Sequence, residues 1–126
     1  MEVIKIMGTD DTPTVMLDAD HDIFEISGRS LPEDVNAFYA PIIAWMEKYN
    51  QAPKPKTLFN FKLVYFNTAS SKVLLDILMK LEDLFKTGKE VLVRWHYAED
   101  DEDMKEAGEE YAKLLPKLQF HFITNN

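Results

Sequence analysis

One short segment of this chain, Asn67-Thr68-Ala69-Ser70-Ser71, joins several reactive hydroxyls to a capping pattern. It follows an apolar run and precedes a stripe of helical spacing, so it reads as the turn from a strand into a helix. A hydroxyl in such a turn is exposed, and the first backbone N–H groups of the helix can receive a phosphate. Spacing alone leaves two uses open. Capping-rich turns are common and phosphosites among them few, so plain capping by Ser70 is the commoner outcome. Thr68, two positions earlier, is free to project as a kinase acceptor at the same time.

Other residues with chemical capacity fall short of a pattern. Asp18-Ala19-Asp20-His21-Asp22 is spaced like the start of a calcium loop, but its sixth position is Ile23 where the bend needs glycine. Its twelfth is Arg29, where a bidentate Glu belongs, so a solvated turn is expected. His21, His96 and His121 are scattered, and with no cysteine in the chain there is nothing to complete a ligand set. Asp100, Asp101, Glu102 and Asp103 follow a strand, where a magnesium site can be built, yet four acids also suit a helix start through the macrodipole. The helix start is favoured, and a small magnesium-dependent enzyme using this cluster is kept as an alternative. Gly8, Gly28, Gly88 and Gly108 are isolated, and neither a phosphate loop nor a G-x-S-x-G elbow occurs. No catalytic residue, metal site or cofactor is expected.

The elements that must position Thr68 are legible around it. Leu58 to Phe66 alternates with Phe59, Phe61, Leu63 and Tyr65 on one side and Leu58, Val64 and Phe66 on the other, which predicts a central strand. Val73, Leu74, Ile77, Leu78, Leu81, Leu84 and Phe85 predict a helix stopped at Gly88, and Val91 to Tyr97 the next strand. The whole is a β–α–β unit with parallel strands, so Thr68 falls at the carboxyl edge of the sheet. Upstream, residues 2–7, 13–17 and 23–27 predict an antiparallel meander. Ser30-Leu31-Pro32-Glu33 has capping-box spacing, so a helix is expected to start there, carry Val35, Phe38, Ile42, Trp45, Met46 and Tyr49 inward, and kink near Ala37 because of Pro41. Downstream, a helix with Met104, Tyr111 and Leu115 inward and a last strand through Leu118, Phe120 and Phe122 complete a mixed sheet with helices.

At 126 residues and 46% hydrophobic composition, one domain with its own core is expected. The absence of cysteine suits a reducing compartment, and no run is apolar and long enough for a signal peptide or a membrane span, so a cytoplasmic location is expected. A net charge of −8 repels nucleic-acid backbones and anionic lipid surfaces, which leaves proteins or small molecules as partners.

Thr12-Pro13, Gly28-Arg29-Ser30-Leu31-Pro32-Glu33-Asp34, Tyr39 with Trp45, Tyr65-Phe66-Asn67-Thr68-Ala69-Ser70-Ser71-Lys72 and Trp95-His96-Tyr97 occur in this order along the chain. On these residues the chain resembles, over nearly its whole length, the SiaC family of bacterial regulatory phosphoproteins. That family's fold is similar to the STAS-type anti-sigma-factor antagonists. The resemblance implies an α/β fold, a STAS-like mixed β-sheet with packed helices, in a single domain over 1–126. It implies that Thr68 is the phosphoacceptor of a partner-switching system with a Ser/Thr kinase of the anti-sigma-factor type and an opposing PP2C-type phosphatase. It further implies a non-enzymatic protein whose unphosphorylated form binds and activates a GGDEF diguanylate cyclase, raising cyclic di-GMP and promoting biofilm formation. Asn67, Ser70, Ser71, Arg29 and Ser30 are the candidate residues of the phosphosite loop and partner surface. An anti-sigma-factor-antagonist switch with another target, and a constitutive interaction domain, are the remaining alternatives.

Overall fold

The apolar alternations at the N-terminus form the expected meander. In the computed structural model, which describes residues 1–125, β1 (Ile4–Ile6), β2 (Thr14–Asp18) and β3 (Ile23–Ser30) pair antiparallel in sequence. The turn between β2 and β3 is a short 3-10 helix, Ala19–His21, followed by Asp22 in the left-handed region at φ 56°. The Asp18 carboxylate accepts from the His21 N–H and lies 2.8 Å from the imidazole Nδ1, so this acidic turn is closed on itself.

After β3 the chain alternates helix and strand. It runs through α1 (Val35–Gln51), β4 (Lys56–Phe66), α2 (Thr68–Lys86), β5 (Glu90–Ala98), α3 (Glu102–Leu114) and β6 (Gln119–Asn125). β3 to β6 are parallel neighbours, and the sheet order is the sequence order from β1 to β6. Parallel crossovers are right-handed, and three of them stepping the same way place their helices on one face. Burial bears this out. Phe24, Ile26, Phe59, Phe61, Val93 and Trp95 point inward from three adjacent strands and meet Tyr39, Ile42, Trp45 and Tyr49 of α1 and Leu74, Ile77, Leu78 and Leu81 of α2 in one core. The alternate residues of the same strands form a second face that no helix among the described residues covers.

The start of α1 differs from the sequence expectation. The capping box does not form at Ser30, because β3 continues through Ser30, whose ladder partner is Phe66. The N-cap of α1 is Asp34, whose carboxylate accepts from the Ala37 N–H at 3.1 Å. From there α1 runs through Pro41 without a break to Gln51. α2 ends as expected, with Gly88 at φ 96° just past it.

The second difference is in β4. Gly28 pairs with Leu63 but Arg29 pairs with Tyr65, so Val64 is an extra residue, a bulge that reverses the facing of everything after it. Tyr65, expected inside with Leu63, turns outward under the Arg29 guanidinium, 5.3 Å above its ring. Phe66, expected outside, turns in against Trp95 and Tyr111.

α3 lies on the sheet through Trp95. The Trp95 indole donates to the Met104 carbonyl at 2.9 Å, and Gly108 sits over the ring so closely that a Cβ there would fall 2.5 Å from Trp95 Cδ1. Gly108→Ala gains about 1 kcal/mol of helix propensity but overpacks this contact, which costs about 1–3 kcal/mol. Net destabilisation is expected in urea denaturation followed by Trp fluorescence; a variant more stable than the parent would show that α3 can lift from Trp95 without loss.

Candidate functional site

The strand-to-helix turns open at the carboxyl edge of the sheet, and Thr68 stands on the one after β4. β4 delivers Asn67, whose φ of −86° and ψ of 176° are extended, and whose side-chain oxygen accepts from the Ser70 N–H at 2.9 Å. Asn67 is therefore the N-cap of α2, in place of the capping expected of Ser70, and Thr68 is its first helical residue. Thr68 and Ala69 are exposed, and their N–H groups precede the first intrahelical bond, Ser71 N–H to Asn67 C=O at 2.9 Å.

Ser70 has a different task. It is fully buried, at the head of the inward stripe that continues through Val73, Leu74 and Ile77. Its hydroxyl donates to the Ser30 carbonyl at 2.9 Å and accepts from the Ser30 hydroxyl at 2.9 Å, and Ser30 Oγ is 2.6 Å from the Tyr39 hydroxyl. One direction satisfies the chain: Tyr39 donates to Ser30, Ser30 to Ser70, and Ser70 to the Ser30 carbonyl. The same carbonyl accepts the Asn67 N–H at 3.1 Å. Ser30 and Ser70 thus hold the turn from beneath, and their buried hydroxyls do not reach its surface. Ser71 is half-buried, its hydroxyl donating to the Thr68 carbonyl at 2.6 Å.

Arg29 is exposed beside the turn. Its Nε donates to the Asp10 carbonyl at 3.1 Å, and the Leu31 N–H donates to the Asp11 carbonyl at 2.8 Å, so the loop after β1 is tied to the same edge. Beyond Phe66 an open cleft of about 420 Å³ lies between the end of β4 and the start of α3, lined by Val64, Tyr65, Asp101, Asp103 and Met104 among others. Asp101 is the N-cap of α3, accepting from the Met104 N–H at 3.0 Å. Among the described residues, no three His, Asp or Glu side chains gather as a metal-binding group.

The positions of Thr68, Asn67, Ser71 and Arg29 follow from the residues predicted around the turn. In the sequence, Tyr39 carries only the family resemblance, Tyr65 that resemblance and a place in the strand alternation, and Tyr111 only the inward face of the last helix. Tyr111 donates to the Ser71 carbonyl at 2.7 Å and so joins α3 to the first turn of α2. The signal for Ser70 lay in the spacing: it stands three and four residues before Val73 and Leu74, on the apolar stripe.

Burial pushes the Tyr39 phenol above its ordinary range, partly offset by the Ser30 hydrogen bond, and burial does the same more strongly to Tyr111. A raised phenol binds its proton more tightly folded than unfolded. This contribution is therefore fully present below about pH 10 and lost above it, and alkaline titration should show stability falling as the unfolded chain releases protons that the folded chain retains.

Replacing the cap and the buried hydroxyl should have separable effects. Asn67→Ala should cost about 1 kcal/mol through the lost cap, and Ser70→Ala about 1–3 kcal/mol because it strands the Ser30 hydroxyl. Thermal unfolding that ranks Thr68→Ala as damaging as Ser70→Ala would contradict this division.

Comparison with known proteins agrees with this architecture. A model of the SiaC family of regulatory phosphoproteins matches residues 6–125. An uncharacterised protein of Pseudomonas aeruginosa (strain UCBPP-PA14) is 32% identical over 111 residues, 88% of each chain. The crystal structure of apo-SiaC from Pseudomonas aeruginosa superposes with a TM-score of 0.89 at 29% identity, covering 98% of this chain and 100% of that one. A further match, with a TM-score of 0.87 at 29% identity over 97% of this chain and 99% of the other, comes from a crystal structure of the diguanylate cyclase SiaD in complex with its activator SiaC. No helix among the described residues is long and apolar enough to cross a membrane. The chain belongs to the SiaC family of regulatory phosphoproteins.

Proposed function

We propose that this chain is a phosphorylation-controlled binding module: with Thr68 unmodified it docks on and activates a diguanylate cyclase, and with Thr68 phosphorylated it releases it. The observation that carries the choice of acceptor is the division of labour among the three hydroxyls of the turn. Ser70 is buried and bonded both ways, Ser71 is bonded to a backbone carbonyl, and Thr68 is exposed with no side-chain hydrogen bond among the described residues. The choice of partner is supported by likeness to SiaC, which is solved in complex with the diguanylate cyclase it activates. A Ser/Thr kinase of the anti-sigma-factor type would write the mark and a PP2C-type phosphatase erase it, with cyclic di-GMP and biofilm formation as the output, all in the cytoplasm.

The chemistry of the edge supports a switch that acts on the surface. Val64 and Tyr65, 64% and 45% exposed, offer apolar contact beside the turn, and the neighbouring cleft already carries Asp101 and Asp103. A phosphate adds about −1.5 to −2 charge to that lip, which no longer suits a partner that docked on the neutral form. Within the protein the same phosphate is tolerated, because the N-terminus of α2 carries about half a positive charge and Lys72 lies one turn along the helix. In this proposal the protein catalyses nothing itself; Asp101, in the 100–103 acidic cluster, is committed to capping α3.

Calorimetry with the diguanylate cyclase tests the switch. Thr68→Ala is expected to bind like the unmodified protein, and phosphorylated protein at least about thirtyfold more weakly, the equivalent of about 2 kcal/mol, with Thr68→Glu between them. Equal affinity of the phosphorylated and unphosphorylated forms would sink the proposal. So would mass spectrometry that finds the phosphate mainly on Ser70 or Ser71.

A further inference from the structure

Parallel sheets are almost always covered on both faces, yet the face of β3 to β6 opposite the helices carries no element of this chain among the described residues. Its side chains stand in lateral rows. Ladder register sets Met16, Glu25, Asn60, Arg94 and His121 side by side from β2 to β6. The row next to it, toward the amino ends of the parallel strands, contains Ile23, Leu58 and Leu92.

Several charges on this face are matched within the chain. Glu25 meets Lys62 at 3.0 Å, Asp18 meets His21 at 2.8 Å and Glu90 meets Lys56 at 3.6 Å. Arg94, at the centre, forms no ion pair among the described residues, and its Nε is buried by its neighbours with no acceptor. A buried donor left without a partner is rare enough to ask what completes it.

We propose that a second copy of this chain covers this face. A two-fold axis running along β4 lays β3 of one copy over β5 of the other. Arg94 then faces Glu25 of the second copy, Asn60 faces its own counterpart, and the row Ile23, Leu58, Leu92 meets itself in reverse order. An axis along β5 would instead set Arg94 against Arg94; along β4 the like pair is Lys62 with Lys62, each already held by its own Glu25 at 3.0 Å. Lys62 lies near the axis, and Glu25 would bridge its own Lys62 and Arg94 of the second copy. Aligned sheets pack about 10 Å apart and within about 30° of each other, which keeps the central rows opposed. A patch a few strands wide is at the small end of specific interfaces, so the dimer is concentration-dependent. With the axis parallel to the strands, both carboxyl edges point the same way, and the dimer presents two Thr68 turns at one end as a bivalent surface.

Sedimentation velocity of the full chain from about 10 μM to about 1 mM, a range that spans weak self-association, tests the pairing. A dimer is expected, weakened at least about tenfold by Arg94→Glu, by Glu25→Arg and by Leu58→Asp, which sets like charges on the axis. The double variant Glu25→Arg with Arg94→Glu should restore it, a recovery that a folding defect does not produce; circular dichroism checks that each variant is folded. A monomer at every concentration, indifference to the single charge reversals, or failure of the double variant to recover would overturn the proposal. Protection of Arg94 and Leu58 seen only when the diguanylate cyclase is added would assign the face to that partner and overturn it equally.

Discussion

A strand that feeds a helix and returns parallel beside itself crosses over right-handedly, and this chain takes that step three times in one direction. The helices therefore share a face, the opposite face stays open, and every strand-to-helix turn opens on the same edge. Thr68 stands at that edge because β4 ends there. The loop after β1 reaches the edge only because the antiparallel meander brings its far end back, where Asp10 and Asp11 offer carbonyls to Arg29 and Leu31.

What could be read from the residues was whatever depends on period. The apolar stripe of α2, the alternation of β4 and the Gly88 stop each repeat or punctuate a local pattern, and the β–α–β unit around Thr68 follows from them. What could not be read depends on competition between equally good local choices. Ser30 satisfies the spacing of a capping box, but its backbone is taken by the ladder to Phe66 and its hydroxyl by Ser70, so capping passes to Asp34, a residue as well suited. Asn67 outcompetes Ser70 in the same way. The bulge at Val64 is invisible at a strand end where Leu63, Val64, Tyr65 and Phe66 are all apolar or aromatic, because either facing buries something there; with the bulge, Phe66 packs against Trp95 and Tyr65 faces out.

These choices have one outcome for the site. The turn is fastened beneath by a chain of three buried hydroxyls linking α1, β3 and α2, and above it only Thr68 and Ala69 are left outward. Hydrogen bonds of this kind contribute modestly one by one, but a missing partner among them is expensive, so the set holds together or loosens together. A modification at Thr68 meets a prepared, stiff surface, and its effect is spent on whatever docks there.

The sequential order of the sheet also bears on how the chain reaches this structure. Each strand pairs with the strand just before it, so no element waits for a distant segment and no loop has to be threaded. Assembly can proceed in the direction of synthesis, each helix closing over the strand pair it has just joined. Until the next strand arrives, the growing sheet exposes one parallel edge, first β3, then β4, then β5. The longest of these, β4, is the one whose successor is separated from it by the longest helix, α2. The interval in which an emerging chain is most open to pairing with a neighbour is therefore the time needed to complete α2 and β5.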